Sequence, residues 1–335
     1  MDNTGSREIL NRLIDEAGSV CILGHIGPDG DCVGSALAIR NYILNKRPGM
    51  NPEDVVVYLD EMSDKFAYLP GFSEIVHDTG DQRAYALCIV TDCADENRIA
   101  RFSYLLGKAE KSFCIDHHVT NPGFCDYFVV KPEASSSCEV AFDLLDPQYI
   151  DRNVALCIYT GLVHDTGVFR FTCTSPHTMD IAGKCMGYGI DFGSVIDDSF
   201  FGMTFAQKKL QGEILSRMES EFDGKLILSY ADRPLMEQYG LKAKDMDGMI
   251  DQLRNIRGVM MAAFLYQMKD RKFKMSLRSN TDAIDVSRIA LKMNGGGHKL
   301  AAGGTMGDDI EANFAFIRQE FEEQLKEYEA SLERV

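Results

Sequence analysis

Four short stretches of the chain combine carboxylates and imidazoles in a way that suits metal chemistry. They are Gly24-His25-Ile26-Gly27-Pro28-Asp29-Gly30-Asp31, then Asp92 behind Ile89-Val90-Thr91, then Asp116-His117-His118 behind Phe113-Cys114-Ile115, and last Asp165 within Leu162-Val163-His164-Asp165-Thr166-Gly167. Each follows an apolar segment, which predicts that they sit at the ends of buried elements, chiefly strands. Carboxylates gathered in one pocket raise one another's pKa, and desolvation adds to the cost. Divalent cations remove that cost. Mixed imidazole and carboxylate ligands suit manganese, iron, cobalt or zinc better than calcium or magnesium, which prefer shells of oxygen. With so many carboxylates, two ions sharing a bridging aspartate is the natural arrangement. Two ions about 3.5–4 Å apart can generate hydroxide at neutral pH and clamp a phosphoryl group during in-line displacement. Singly, each stretch also has a plain structural reading. Gly-Pro-Asp-Gly-Asp is a turn, Asp92 or Asp165 is a helix cap, and His117-His118 is a core histidine beside a solvated one. It is the four in combination that favour a site.

The elements needed to position them are legible. The first half alternates short β-branched runs with amphipathic stretches, the pattern of a parallel sheet covered by helices on both faces. Strands are expected at 20–23, 55–59, 86–90 and 113–115, and helices at 33–44, 149–163 and 178–188. In such a sheet, ligands bind beyond the carboxyl ends of the strands, near the point where strand order reverses. Helical stretches at 194–200 and 204–222 then lead into a second unit, with strands at 225–229, 259–267 and 272–277 and helices at 247–254, 286–293 and 310–332. The expected fold class is α/β: a doubly wound, mainly parallel sheet over 1–190, a helical linker over 191–222, and a smaller α/β domain over 223–335.

The chain has 335 residues, of which 45% are hydrophobic, enough for two cores. The N-terminus is polar where a signal peptide would be apolar, and no apolar run approaches the length of a membrane span. A cytoplasmic, membrane-free protein is expected. The ten cysteines are scattered, with no Cys-x-x-Cys pair, and read as reduced thiols packed like small hydrophobes. A net charge of −16 argues against long duplex nucleic acid as a partner. Residues 258–305 run against that average, with eight basic side chains against three acidic ones, a composition that attracts phosphate.

The chain resembles the DHH phosphoesterase family, whose motif stands here as Asp116-His117-His118. The resemblance runs nearly the whole length. The family's first motif corresponds to His25, Asp29 and Asp31, its second to Asp92 and its fourth to Asp165. Asn294-Gly295-Gly296-Gly297-His298-Lys299-Leu300-Ala301-Ala302-Gly303-Gly304 resembles the signature of the DHHA1 substrate domain. Within the family, the compact form is similar to the NrnA type of oligoribonuclease and pAp phosphatase. The resemblance implies two manganese ions. His25, Asp29 and Asp92 would hold one, and Asp31, Asp92, His117 and Asp165 the other, with Asp92 as the bridge. It also implies that Asp116 orients a ligand and that His118 meets the scissile phosphate.

The glycine run has its own logic, since consecutive glycines let backbone N–H groups approach an anion in a concave nest. Family members grip the nucleotide that is not hydrolysed at these positions, which makes Arg278, Ser279, Gly296, Gly297 and His298 the expected binding residues. Arg170-Phe171 is a further candidate for phosphate pairing and base stacking. Ser135-Ser136-Ser137 could cap a helix, donate to substrate, or both. His164 either tunes Asp165 or merely ends an element, and His77 and His177 match no motif.

The reading is therefore a manganese-dependent hydrolase of very short oligoribonucleotides and of pAp, with linear pApA and cyclic di-AMP as variants of the same chemistry. A homodimer is compatible with it. An inorganic pyrophosphatase fits less well, because that branch carries a different C-terminal domain. A non-catalytic nucleotide sensor would have lost metal ligands, and all six positions are filled here.

Overall fold

In the computed structural model, residues 3–80, 82–246 and 248–332 are described. The chain divides into two compact units, with the break between Gly202 and Met203.

The first unit is built on five parallel strands: β1 (Val20–Leu23), β2 (Val55–Tyr58), β3 (Leu87–Thr91), β4 (Lys111–Asp116) and β5 (Tyr127–Val130). Their order is β2-β1-β3-β4-β5. Strands β1 to β4 are short and almost wholly buried because both faces are covered, whereas β5, at one edge, is largely part-exposed. Successive side chains alternate between two apolar layers. Val20, Ile22, Leu87 and Ile89 join the larger layer, which is shared with the helices Asn3–Glu16, Gly30–Lys46, Ser137–Leu144 and Arg152–Asp165. Cys21, Leu23, Cys88 and Val90 face the other layer, with Ile99, Phe102 and Leu105. The chain leaves β1 for β2 on one side and returns to β3 on the other, so the order reverses at β1 and opens a crevice between the ends of β1 and β3.

The helices Gly30–Lys46 and Arg152–Asp165 are buried on nearly every face of their middle turns. They fit together because Gly161 has no side chain. A Cβ built there would lie 2.2 Å from Cys138 Sγ and 2.6 Å from Asp31 Oδ1. Both helices begin at an aspartate whose carboxylate accepts from two backbone amides, Asp29 for the first and Asp151 for the second.

The second unit carries a six-stranded mixed sheet of β6 (Glu219–Glu221), β7 (Leu226–Ala231), β8 (Met261–Gln267), β9 (Phe273–Ser279), β10 (Gly296–His298) and β11 (Ala301–Met306). The order is β10-β11-β9-β8-β7-β6, with only β7 and β8 parallel. Period-2 alternation again serves two cores. Met261, Ala263 and Leu265 pack toward the Val286–Lys292 and Ile310–Leu332 helices. Ala262 and Phe264 pack toward Leu210, Ile214, Met249 and Leu253.

Several expectations are revised. The helix anticipated over 204–222 ends at Ser216, and 219–221 form an edge strand, Glu219–Glu221. Arg318 pairs with the two carboxylates that flank this strand. Strand β5 went unread because a four-residue run at a sheet edge leaves little pattern. The glycine run is not an isolated nest. It forms β10, which the turn at Lys299 and Leu300 joins to β11 as a hairpin. Asp247, the expected start of a helix, lies outside the described residues, and the helix itself spans Met249–Arg254.

Gly161→Ala should force Asp31 and Cys138 apart. Overpacking of this kind costs roughly 1–3 kcal/mol, which should appear as a lower urea midpoint with an unchanged slope.

Candidate metal centre

Because all five strands of the first sheet run the same way, their carboxyl ends share one edge. His25 stands two residues beyond β1, Asp92 follows β3 directly, and Asp116 ends β4 with His117 and His118 behind it. Asp165 arrives differently. It closes the Arg152–Asp165 helix and does not follow a strand, so three of the four stretches sit at strand ends and the fourth at a helix end.

Asp92 lies at the middle of the cluster. Its Oδ2 is 3.4 Å from His25 Nε2, and its Oδ1 is 3.7 Å from both His117 Nε2 and His118 Nδ1. His117 Nε2 also lies 3.2 Å from Asp165 Oδ2, and His25 Nε2 lies 3.8 Å from Asp29 Oδ1. Three sets of potential ligand atoms converge: His25, Cys32 and Asp92; Asp92, His117 and His118; and Asp31, His117 and Asp165. All six sequence-derived metal positions thus lie in these sets or, for Asp29, beside His25.

Surrounding groups hold the carboxylates in place. Fully buried Asp31 accepts from the backbone amides of Ser137 (2.6 Å) and Cys138 (2.9 Å) at the start of a helix. Asp116, also fully buried, accepts from His117 N and His118 Nδ1 at 2.8 Å each on Oδ1, and from Asn121 Nδ2 at 2.7 Å on Oδ2. With both oxygens engaged, Asp116 orients its neighbours and is poorly placed to be a ligand. Ser137 Oγ donates to Asp92 Oδ1 at 3.1 Å.

The charges reveal what the centre requires. Burial, followed by the charges of Asp92 and Asp29, holds the Asp31 carboxyl well above the usual range. Burial and then Asp31, Asp29 and Asp92 do the same to Asp165. For His25, burial alone would lower the imidazole, but hydrogen bonds to Asp29 and Asp92 and their charges override it and push it up to about 11. His118 is raised against the effect of burial by Asp116 and Asp92. Asp116 is held low, because His118 and Asn121 outweigh its burial. The cluster is thus short of positive charge. Nitrogen, oxygen and sulfur donors with this unmet demand fit divalent transition-metal ions.

The remaining candidates are dispersed. Arg170 is exposed, with Nε donating to Gly167 O. In the second unit, Arg278 and His298 fall on one register line across β9, β11 and β10, through Ala301. Directly paired residues project to the same face, so His298 shares the face of Arg278, while Gly296, Gly297 and His298 together form an exposed edge strand of the sheet. Ser279 is a correction. It is fully buried, its Oγ lies 2.8 Å from Thr281 O and 3.3 Å from Met260 O, and its side chain closes the end of β9 without reaching solvent.

Ser136 caps the Ser137–Leu144 helix, so the capping reading of the serine run holds. His164 packs between Phe66 and Phe200, with Nε2 3.1 Å from Ser199 Oγ. His77 contacts Leu59 O, and half-exposed His177 pairs with Asp143. Sequence reasoning missed Cys32, Asn121 and the tie from Ser137 to Asp31 and Asp92. Only the Asp-x-Asp-Cys succession and the serine run offered any signal for them.

Comparison with known proteins agrees with this geometry. Residues 19–162 match the family model for the DHH family, N-terminal domain, and residues 223–327 match the DHHA1 domain. The chain is 28% identical over 313 residues to the bifunctional oligoribonuclease and PAP phosphatase NrnA of Thermus thermophilus, a match covering 92% of this chain and 90% of that protein. It is 27% identical over 302 residues to the NrnA of Bacillus subtilis, covering 89% and 92%. The fold resembles the crystal structure of an exopolyphosphatase-related protein from Bacteroides fragilis, with a TM-score of 0.89 at 24% identity over 97% of this chain and 98% of that one. With its candidate metal ligands gathered at the edge of the first sheet and both halves matched, the chain belongs to the DHH family of metal-dependent, hydrolytic phosphoesterases, and carries a DHHA1 domain.

Proposed function

We propose that the protein is a dimanganese phosphoesterase that hydrolyses very short oligoribonucleotides to mononucleotides and removes phosphate from pAp. The observation that carries this reading is the disposition of Asp92, whose two oxygens face different imidazoles, Oδ2 toward His25 and Oδ1 toward His117. A carboxylate placed in that way suits a bridge between two ions. Similarity to bifunctional oligoribonuclease and PAP phosphatase proteins along most of the chain supports the substrate class.

In this reading His25, Asp29 and Asp92 hold one ion, and Asp31, Asp92, His117 and Asp165 the other. Bound there, the ions supply a hydroxide nucleophile and charge neutralisation at the phosphoryl group. The chain's own residues do the rest. Asp116 anchors His118 through Nδ1, which presents Nε2 as the nitrogen that meets the scissile phosphate. Ser137 and the amides at the start of its helix keep Asp92 and Asp31 from rotating. Arg278, with Gly296, Gly297 and His298, grips the nucleotide that is not cleaved. Arg170, exposed five residues after Asp165 in the chain, is a further candidate for phosphate pairing. No helix among the described residues is long and apolar enough to cross a membrane, and nine of the ten cysteines are buried and unpaired. Both fit work in the reducing cytoplasm.

The deciding assay offers pAp, linear pApA, cyclic di-AMP and a ladder of short RNAs to the purified protein with manganese. Turnover of pAp and of RNAs a few nucleotides long is expected. Turnover confined to cyclic di-AMP or pApA would move the assignment to a dinucleotide phosphodiesterase, and binding without turnover would make the protein a sensor.

Three variants and one metal series sharpen the test. Asp92→Ala should abolish hydrolysis of every substrate in a chain that circular dichroism shows to be folded; retention of more than a trace of activity would sink the shared bridge. Rates should be highest with manganese, weaker with cobalt, low with magnesium and absent with chelator, since His25 and His117 provide nitrogen donors that magnesium disfavours. Equal rates in magnesium and manganese at saturation would contradict this. Arg278→Ala and His298→Ala should each lower kcat/KM on nucleotides while sparing a minimal activated phosphodiester. A lost charge-assisted contact is worth roughly 1.5–3 kcal/mol, or about ten- to a hundredfold. Equal losses on both substrates would place these residues in the chemistry itself.

A further inference from the structure

Arg278 projects from β9 on the face bordered by the short helix Met249–Arg254. Its neighbours across the sheet are Ala262 on β8 and Ala301 on β11, and directly paired residues share a face. Ala262 packs with Met249 and Leu253 of that helix. Two polar contacts tie the helix to β9 and the residue beyond it. Arg254 Nε donates to Asn280 Oδ1 at 3.1 Å, and Asn280 Nδ2 donates back to Arg254 O at 2.7 Å. One turn earlier on the helix, and two residues earlier along the strand, Asp251 Oδ1 lies 3.9 Å from Arg278 Nε.

This second contact is incomplete. At 3.9 Å the two groups attract through charge but form no hydrogen bond. Asp251 Oδ1 is buried and, among the described residues, accepts from no donor, a costly state for a carboxylate oxygen. Arg278 meanwhile spends Nη1 on the neighbouring carbonyl, Leu277 O, at 3.0 Å. A guanidinium holds its donors in one planar fork, so a turn that brings Nε onto Asp251 also moves both terminal nitrogens. The reciprocal pair of Arg254 and Asn280 holds the helix against the strand and makes the carboxylate a fixed point for that turn.

We propose that Asp251 is the positioning residue for Arg278: its carboxylate accepts the Nε–H and sets the two terminal nitrogens outward, as a bidentate fork for the phosphate of the nucleotide that is not cleaved. Bidentate pairing depends on geometry as well as charge. Charge alone predicts the opposite effect, because an acidic side chain beside an anion site repels the anion. Removing Asp251 therefore strengthens binding if it acts only as a charge and weakens binding if it aims the arginine. The inference rests on the grip of Arg278 on the nucleotide proposed above.

Steady-state kinetics of the full-length protein on a short RNA separate these outcomes. Asp251→Ala should raise KM roughly five- to tenfold, within the range of coupling between contacting residues, with kcat little changed. Asp251→Asn keeps an acceptor oxygen in place and should recover part of the loss. In an Arg278→Lys background, which has no fork to aim, Asp251→Ala should add nothing. An unchanged or lower KM in Asp251→Ala overturns the proposal, as does an equal further loss in the Arg278→Lys background. If Arg278→Ala itself leaves KM unchanged, the grip falls and the role of Asp251 with it. A raised KM in Arg278→Ala beside an unchanged one in Asp251→Ala removes the role of Asp251 alone. Where Asp251→Ala fails to fold, a crystal structure of the unaltered protein with AMP decides. Nε is then expected about 2.7–2.9 Å from an Asp251 oxygen, and a guanidinium turned away from Asp251 overturns the proposal.

Discussion

Mutual repulsion among carboxylates that the fold has withdrawn from water is the constraint on which the first unit is organised. Asp31, Asp92 and Asp116 are almost fully buried, and Asp29 and Asp165 stand beside them. An isolated ionised carboxylate in a protein interior costs several kcal/mol even after relaxation, so each must be met by something. Asp31 is met by the amides that begin the Ser137–Leu144 helix. Asp116 is met by Asn121 and by the His118 ring. Asp29 is met by the amides of the helix it caps. What those groups leave over is a demand for positive charge, expressed in the raised imidazole of His25 and the raised carboxyls of Asp31 and Asp165. Metal affinity and the local architecture are two expressions of this one electrostatic requirement.

The parallel sheet is what allows so much charge to be brought together. Its strands are mainly apolar on both faces, and the one charged side chain ahead of their ends, Lys111 at the start of β4, is exposed, so their termini can converge from separate parts of the sequence without burying charge along the way. The second unit solves a different problem. Its sheet is mixed, it carries no comparable cluster of ligands among the described residues, and its basic residues flank a hairpin rich in glycine. A surface of that kind suits the recognition of an anion, whereas the first unit suits its chemistry.

Much of this was legible because the signals were local. A run such as Leu87-Cys88-Ile89-Val90-Thr91 followed by aspartate reads as a buried strand and its end, and the order of the motifs along the chain matches their order of arrival at one sheet edge. The pairing of distant segments was not legible. That Ser137 and Cys138 would hand their amides to Asp31, more than a hundred residues away, depends on two helices meeting, and no spacing in the sequence encodes it. The burial of Ser279 was missed for a similar reason. A serine beside an arginine in a basic window reads as a phosphate contact, and only the closure of β9 against Thr281 and Met260 withdraws it. The hairpin of β10 and β11 was hidden because glycine has no strand pattern to display.

Asp92 shows how sharply the electrostatic requirement acts on the backbone. It adopts φ +53°, the left-handed region that side-chain-bearing residues usually avoid. Such conformations cost on the order of 1–3 kcal/mol and persist where surrounding structure over-determines them. Here the determinants are visible. The Asp92 amide donates to Ile115 O, continuing the β3–β4 pairing one residue past the strand, while its side chain stands between His25 and His117. An extended residue at this position would follow the pleat of β3, in which successive side chains go to opposite faces. The left-handed turn departs from that pleat, so β3 ends and its next side chain is aimed into the crevice in the same step. Glycine would adopt this backbone at no steric cost but would bring no carboxylate. The residue whose two oxygens face both imidazoles is thus also one that bears backbone strain, because the turn that aims its carboxylate into the crevice is the one that departs from the pleat.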